Sequence, residues 1–207
     1  MTSKKAFLLS GKVSNLKTIQ REDIQQINTF TGNIESIGEY FTTIVRHEHY
    51  WLQCFDKTGL WEEDKGTLIV TDTNGIPVGL MWFFKGPEYI NGFEVGYNIF
   101  NPEFRNKGIC TEALFLFSAY LFDVHLIARL QCNALEENKA SRRVAEKCGY
   151  IYEGMMREAI FIRGSLHNLA LFSLLRYEIP DLTTILQGFR KGETIDEIRA
   201  KNIKAKQ

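Results

Sequence analysis

The chain has 207 residues, of which 44% are hydrophobic and 13% aromatic, enough to fill the core of one ordinary domain and to exclude a disordered chain. Lysine plus arginine and aspartate plus glutamate each number 25, so the formal net charge is zero. A neutral chain has no overall attraction for nucleic acid or for an anionic membrane, and neither is expected as a partner. No apolar run approaches the roughly 20 residues that span a bilayer.

The N-terminus and the cysteines indicate a cytoplasmic protein. The apolar patch at 6–9 is shorter than the apolar region of a signal peptide, which has about 7–15 residues. The four cysteines, Cys54, Cys110, Cys132 and Cys148, are widely spaced and include no Cys-x-x-Cys pair. They predict reduced thiols rather than a disulfide framework, and no metal site is expected.

The first third of the chain predicts two helices followed by a hairpin. Apolar residues recur at three- and four-residue steps between Asp23 and Leu52. The second of these helices carries an aromatic cluster, Tyr40, Phe41, Tyr50 and Trp51. After a polar turn at 61–66, strands at 67–71 and 76–84 are joined through Asn74-Gly75, a pair that favours a hairpin because both residues tolerate positive φ.

The middle of the chain alternates strand and helix. A strand at 92–100 leads through a glycine-bearing loop into a helix at 111–122. Apolar residues then alternate from Leu126 to Ala134, which predicts a strand. Asn138 caps a second helix, and Gly149 ends it. This strand–helix–strand–helix order predicts a parallel pair of strands in the middle of the sheet.

Two more strands, near 152–162 and 169–176, are joined by a turn at Arg163-Gly164. The prediction is therefore a mixed α/β (α+β) domain over 1–179, with a central mixed sheet of about six to seven strands and helices on both faces. Beyond Pro180, two short helical patterns and a basic tail predict a helical C-terminal appendage at 180–207.

The stretch from Gly96 to Ala113 combines a strand end, a turn and the start of a helix. The first four N–H groups of a helix lack internal partners and lie at the positive end of its dipole, so a diphosphate fits there. Gly108 removes a Cβ that would hold the backbone away, and Arg105 and Lys107 add positive charge. The alternative is an ordinary helix start with a turn glycine. The glycine patterns of NTPases and dinucleotide enzymes are absent, which counts against both classes.

Two sequence blocks resemble the GNAT superfamily of N-acetyltransferases. The spacing Arg105-x-x-Gly108-x-Cys110, followed by Thr111-Glu112-Ala113, is similar to the loop that binds the acetyl-CoA diphosphate. The block from Asn138 through Ser141, Lys147, Gly149-Tyr150, Glu153-Gly154 and Arg157 is similar to the branch that includes the ribosomal-protein N-terminal (alanine) acetyltransferases. The resemblance covers roughly residues 10 to 178.

This chain departs from the family pattern at four positions. Cys110 stands where glycine or alanine is usual, and Asn168 and Phe172 stand where this branch usually has aspartate and tyrosine. Ala145 occupies the position of a tyrosine that donates a proton in many members.

The resemblance implies transfer of an acetyl group from acetyl-CoA to a primary amine, by direct attack in a ternary complex. The acceptor is a protein N-terminal α-amine or a small amine. It implies that strand 93–99 diverges from strand 127–134, and that the N–H near Ile99 points at the thioester carbonyl. The expected cofactor-binding residues are Val95, Tyr97, Ile99, Arg105, Asn106, Lys107, Gly108, Ile109, Cys110, Thr111, Asn138, Ser141 and Lys147.

Two side chains are candidates for the proton transfers. Glu94, on the strand that faces the cleft, is the candidate base, and its alternative is an exposed strand carboxylate. Ser141 is the candidate acid for the departing thiolate, and its alternative is a cofactor contact only. His47 and His49 are two residues apart on a predicted helix and make a poor metal pair.

Other functions and states stay open at this point. A non-catalytic GNAT-like module that binds acyl-CoA is one alternative, and an antibiotic-modifying acetyltransferase is another. The expected state is a monomer or a homodimer.

Overall fold

An eight-stranded mixed sheet carries the fold of the computed structural model, which describes residues 8–32, 37–41 and 46–204. The strands are β1 (Leu9–Ser10), β2 (Asn15–Thr18), β3 (Lys65–Thr71), β4 (Pro77–Lys85), β5 (Gly92–Ile99), β6 (Arg129–Leu135), β7 (Ile151–Ile162) and β8 (Ser165–Leu175). Their order across the sheet is β1-β2-β3-β4-β5-β6-β8-β7. Neighbouring strands are antiparallel except β5 and β6, which are the predicted parallel pair.

Six α-helices lie within the described residues. They are α1 (Ile24–Thr31), α2 (Glu48–Thr58), α3 (Ile109–Val124), α4 (Lys139–Cys148), α5 (Leu182–Arg190) and α6 (Ile195–Lys204). None of the helices in these ranges is long and apolar enough to cross a membrane.

The sheet separates two apolar cores, because side chains alternate along each strand. On β3, Leu68 and Val70 join the larger core, which contains α3 and α4, whereas Ile69 joins a smaller core with residues of α1 and α2. The predicted mixed α/β fold with helices on both faces is therefore confirmed.

All six predicted strands are present, together with two strands, β1 and β2, that were not predicted. The sheet has eight strands rather than six or seven because β1 and β2 add an N-terminal hairpin. These strands have only two and four residues, too few to show a period of two. A buried carboxylate fixes the hairpin: Glu112 Oε1 accepts from Val13 N at 2.8 Å and from Ser14 N at 2.9 Å.

Several predicted elements differ in their bounds, and β8, for example, begins at Ser165 rather than at residue 169. The strand predicted from Leu126 begins only at Arg129, and Leu126 is 93% exposed, so the alternation there was misleading. Of the two helices predicted between Asp23 and Leu52, α1 and α2 are described, but Tyr40 and Phe41 lie in a turn before α2. Residues 33–36 and 42–45, which include part of that prediction, lie outside the described residues.

The C-terminal helices α5 and α6 pack against α3 and α4. Ile185, Phe189 and Ile198 are buried in the larger core, and Arg199 Nη1 donates to the carbonyl of Lys147 at 3.2 Å. Because these helices cover its outer side, α3 is buried on nearly all faces. The division of the chain at residue 180 stays a prediction.

Candidate active site

Strands β5 and β6 pair over three residues and then separate. The register runs from Gly92 opposite Arg129 to Glu94 opposite Gln131, and there the pairing ends. Beyond that point β5 pairs only with β4, and β6 pairs only with β8. Residues 95–99 and 132–135 therefore border a gap between two parallel strands, as the family resemblance implied.

The backbone alternation of β5 decides which of its peptide groups face this gap. Phe100 N donates to Val78 O at 3.0 Å, so the N–H of Phe100 points toward β4. Along a regular strand the peptide groups of successive residues point in opposite directions. Those of Val95, Tyr97 and Ile99 therefore face the gap. The side chains of Val95 and Ile99 are buried in the core, so only their backbone groups face the gap. The Ile99 carbonyl accepts from Arg105 Nε, which leaves the Ile99 N–H for binding.

The loop before α3 presents free backbone amides. Glu112 N is the first amide of α3 to bond back, to Gly108 O at 2.9 Å. Among the described residues no acceptor is recorded for the amides of 106–111, and no side chain caps the helix. Asn106 (φ 60°) and Gly108 (φ 80°) adopt left-handed conformations, which curve the backbone so that successive amides share one concave side.

The two basic side chains of this loop take different positions. Arg105 folds back, and its Nε donates to Ile99 O at 3.0 Å, so it fastens the loop to the end of β5. The Nζ atom of Lys107 lies 5.3 Å from the centre of the Phe104 ring. Both residues are exposed, so their positive charge lies at the rim of the free amides of 106–111, here called the amide cluster.

Helix α4 begins beside the gap. Asn138 is its N-cap, with Oδ1 accepting from Ser141 N at 3.0 Å, which confirms the predicted cap. Across the gap, the Tyr97 phenol lies 3.0 Å from both Ser141 Oγ and Ser141 O. The carbonyl can only accept, so the phenol proton goes to it and the Ser141 hydroxyl donates to the Tyr97 oxygen. Burial raises the pKa of Tyr97 well above its usual value.

The other end of α4 lies near the start of α3. Cys148 Sγ donates to Thr111 O at 3.1 Å. This contact brings the exposed Lys147 to the neighbourhood of the amide cluster. Asn138, at the other end of α4, lies nine residues from Lys147, which is about 13 Å along the helix. Burial raises the pKa of Cys110, in the first turn of α3, to about 12. The thiol is therefore far less ionised than an ordinary cysteine at neutral pH.

The face of the sheet opposite α3 and α4 holds a polar row beside the gap. Gln131 Nε2 donates to Glu94 Oε2 at 3.3 Å. A Cβ added to Gly96 would lie 2.4 Å from Cε2 of Trp82, so the indole ring covers Gly96 directly. Asn98 Nδ2 donates to Ile37 O at 3.0 Å, which holds the segment 37–41 over this face. Glu94 is predicted from the sequence, whereas Trp82 and Gln131 are not, because only the strand register brings these residues together.

His47 and His49 take different positions at the start of α2. His47 is the N-cap of α2, and His49 Nε2 lies 2.9 Å from Gln53 Nε2. No group of three or more potential metal ligands occurs in the parts of the chain that the structure describes.

Known proteins are similar to this chain in sequence and in fold. The chain is 33% identical over 116 residues to the putative ribosomal N-acetyltransferase YdaF of Bacillus subtilis. That alignment covers 52% of this chain and 63% of YdaF, so less than two thirds of the relative is matched.

Solved structures extend the similarity to most of the fold. The spermidine N-acetyltransferase of Vibrio cholerae, in complex with CoA and spermine, superposes with a TM-score of 0.69 at 19% identity, over 79% of this chain and 95% of that one. Mycobacterium smegmatis RimJ, in complex with CoA-disulfide, gives a TM-score of 0.73 at 16% identity, over 86% and 91% of the two chains. The family model described as the acetyltransferase (GNAT) domain matches residues 15–151, about two thirds of the chain. The chain therefore belongs to the GNAT acetyltransferase family, whose members use acetyl-CoA.

Proposed function

We propose that this protein transfers the acetyl group of acetyl-CoA to a primary amine by direct attack in a ternary complex. The observation that carries the proposal is the gap between β5 and β6, which opens beside the uncapped N-terminus of α3. A gap between parallel strands can take an extended chain on its free peptide edge, and the helix start can take the diphosphate of the same molecule.

The residues present fit coenzyme A. The amides of 106–111 would hold the diphosphate, with Arg105 and Lys107 at its rim. The peptide groups of Val95 and Tyr97 and the N–H of Ile99 would pair with the pantetheine, and Asn138 caps α4 shortly after the end of β6. When bound, the thioester supplies an activated acetyl group. The N–H of Ile99, which faces the gap, would stabilise the oxyanion that forms there.

Glu94 is the proposed base for the amine. Its carboxylate is half-buried on the face of the sheet opposite α3 and α4, here called the acceptor face, and one of its oxygens accepts from Gln131. Removing a proton at pH 7 from an α-amine of pKa about 8 costs about 1.4 kcal/mol, against nearly 5 kcal/mol for a lysine of pKa about 10.4. A carboxylate that works through water suffices for the first case, which favours an α-amine as the acceptor.

Ser141 is the proposed donor to the departing thiolate. Its hydroxyl is committed to Tyr97, so donation requires exchanging that hydrogen bond for one to the sulfur. The exchange is inexpensive because an ordinary hydrogen bond contributes only about 1 kcal/mol net. As its proton passes to the sulfur, Ser141 takes another proton from water, so no serine alkoxide is left. Tyr97, with its raised pKa, would remain protonated throughout.

The acceptor, location and assembly are also proposals. Similarity to a putative ribosomal N-acetyltransferase and to a spermidine N-acetyltransferase makes a protein N-terminus and a polyamine the two acceptor classes to test. The four free cysteines favour a reducing, cytoplasmic location, and a monomer or homodimer is expected. An antibiotic-modifying enzyme and a non-catalytic acyl-CoA-binding module are the competing functions.

An acceptor panel tests the proposal. Purified protein is incubated with acetyl-CoA and, separately, a peptide with a free N-terminal alanine, the same peptide with a blocked N-terminus, spermidine and an aminoglycoside. Mass spectrometry then measures acetylated product. We expect acetylation of the free peptide and none of the blocked one. CoA binding without acetylation of any amine would support the non-catalytic module instead.

A matched pair of variants tests the base. Glu94→Gln removes the proposed base and should lower kcat at least about a hundred-fold, within the range for general acid–base catalysis. Glu88→Gln makes the same change on the exposed β4–β5 turn and should leave kcat unchanged. Equal activities of the two variants would remove Glu94 from the mechanism.

A further inference from the structure

One polar atom beside the gap lacks a partner. Asn133 Oδ1 is buried, and within the described residues no group donates a hydrogen bond to it. A buried carbonyl oxygen without a donor costs about 1–3 kcal/mol, so native proteins rarely leave one without a purpose. Of the two other atoms in this condition, Arg129 Nε belongs to the paired part of β6 and Trp51 Nε1 belongs to α2.

The position of Asn133 follows from the strand register. It lies two residues beyond Gln131, the last residue of β6 that pairs with β5, about 6.5 Å further along the strand. Side chains two apart on a strand share a face, so Asn133 lies on the same face as Gln131 and Glu94. It is therefore at the edge of the gap, on the side opposite α3 and α4.

Two other groups that suit an amine, the Trp82 indole and the Glu94 carboxylate, lie beside the same space. Gly96 is two residues beyond Glu94 on β5, and the Trp82 indole lies over it. An indole face attracts a cation, and the Glu94 carboxylate supplies the opposite charge one step away. A carbonyl oxygen, an aromatic face and a carboxylate around one opening suit an ammonium group.

We propose that Asn133 Oδ1, Trp82 and Glu94 form the subsite for the acceptor amine, which enters as a cationic primary amine. The amine N–H donates to Asn133 Oδ1, and the indole of Trp82 covers its free side. Glu94 then takes the proton that must leave before attack on the thioester. This inference rests on the proposed acetyl transfer, because it names the acceptor side of the same site.

Paired substitutions at one position test the subsite. Asn133→Leu removes the acceptor oxygen at similar volume, whereas Asn133→Asp keeps an oxygen in that place. The probe is the peptide with a free N-terminal alanine. We expect Asn133→Leu to raise its KM at least about ten-fold, the lower end for a lost hydrogen bond to a charged group. The KM for acetyl-CoA should change less than two-fold, and Asn133→Asp should keep the peptide KM within about three-fold.

Binding of the same peptide to CoA-loaded protein, measured by calorimetry, separates the two possible failures. Unchanged peptide affinity and KM in Asn133→Leu, with wild-type protein active, overturns the subsite and leaves the acetyltransferase proposal standing. Absent turnover with peptide binding that Asn133→Leu weakens ten-fold overturns the enzyme and supports the subsite. Absent peptide binding in the wild-type protein overturns the subsite. Thermal unfolding within about 3 °C of wild type establishes that the variants fold.

Discussion

Gly108→Ala places one methyl group at the centre of the proposed diphosphate site. Gly108 has φ 80°, and a Cβ built on it meets no atom within 4 Å. The substitution therefore creates no clash within the protein, and its cost to folding is the strain of alanine in a left-handed conformation, about 1–2 kcal/mol. For a chain of this size that lowers Tm by roughly 2–8 °C. The methyl group also occupies space that a diphosphate needs to reach the amides of 106–111.

Calorimetric titration with CoA measures the second effect. Loss of one hydrogen bond to a charged phosphate raises Kd about ten-fold or more. Gly192→Ala is the matched control, because Gly192 has φ 83°, also meets nothing within 4 Å, and lies in the turn between α5 and α6. It should lose similar stability and keep the wild-type Kd. A Gly108→Ala variant that binds CoA as tightly as Gly192→Ala would refute the assignment of this loop.

Three further predictions concern the residues around the site. Ser141→Ala should lower kcat at least about ten-fold with little change in CoA affinity, and an unchanged kcat in steady-state assays would limit Ser141 to a binding contact. Glu112→Ala should lower the free energy of unfolding by at least about 3 kcal/mol in urea titrations, because it leaves buried donors without an acceptor, including the N–H and the hydroxyl of Ser14. Glu146→Ala, on the exposed side of α4, is the control and should cost under about 0.5 kcal/mol. Equal losses in the two variants would contradict the structural role of Glu112. At pH 8, raising a thiol pKa from 9.0 to about 12 lowers its thiolate fraction roughly a thousand-fold, so Cys110 should resist iodoacetamide until the protein is unfolded. Rapid native labelling in peptide maps would contradict the raised pKa of this thiol.

The fold could be predicted where local signals were strong. Gly149 ends α4 with φ 96°, and Arg163-Gly164 makes the β7–β8 turn with φ 49° and 88°, as their residue types indicate. The β1–β2 hairpin could not be predicted, because it depends on Glu112, about a hundred residues away. The apolar alternation that predicted β6 begins at Leu126, three residues before the strand itself, because a sequence pattern does not show that the Leu126 side chain points to solvent.

The candidate site divides in the same way. The amide loop before α3 is local in sequence, so glycine spacing and helix physics indicate it directly. The acceptor face is not local, because the strand register places Trp82 over Gly96 and Gln131 beside Glu94. The hydrogen bond between Tyr97 and Ser141 joins β5 to α4 across the gap, and no sequence period connects residues 44 positions apart.

Amide NMR of the ¹⁵N-labelled protein during titration with CoA tests the central claim most directly, because it reports on the backbone N–H groups themselves. We predict that the amides of 106–111 shift most, together with those of Val95, Tyr97 and Ile99 along the open edge of β5. Saturable CoA binding that leaves the amides of 106–111 unshifted, or no binding at millimolar CoA, would contradict the account.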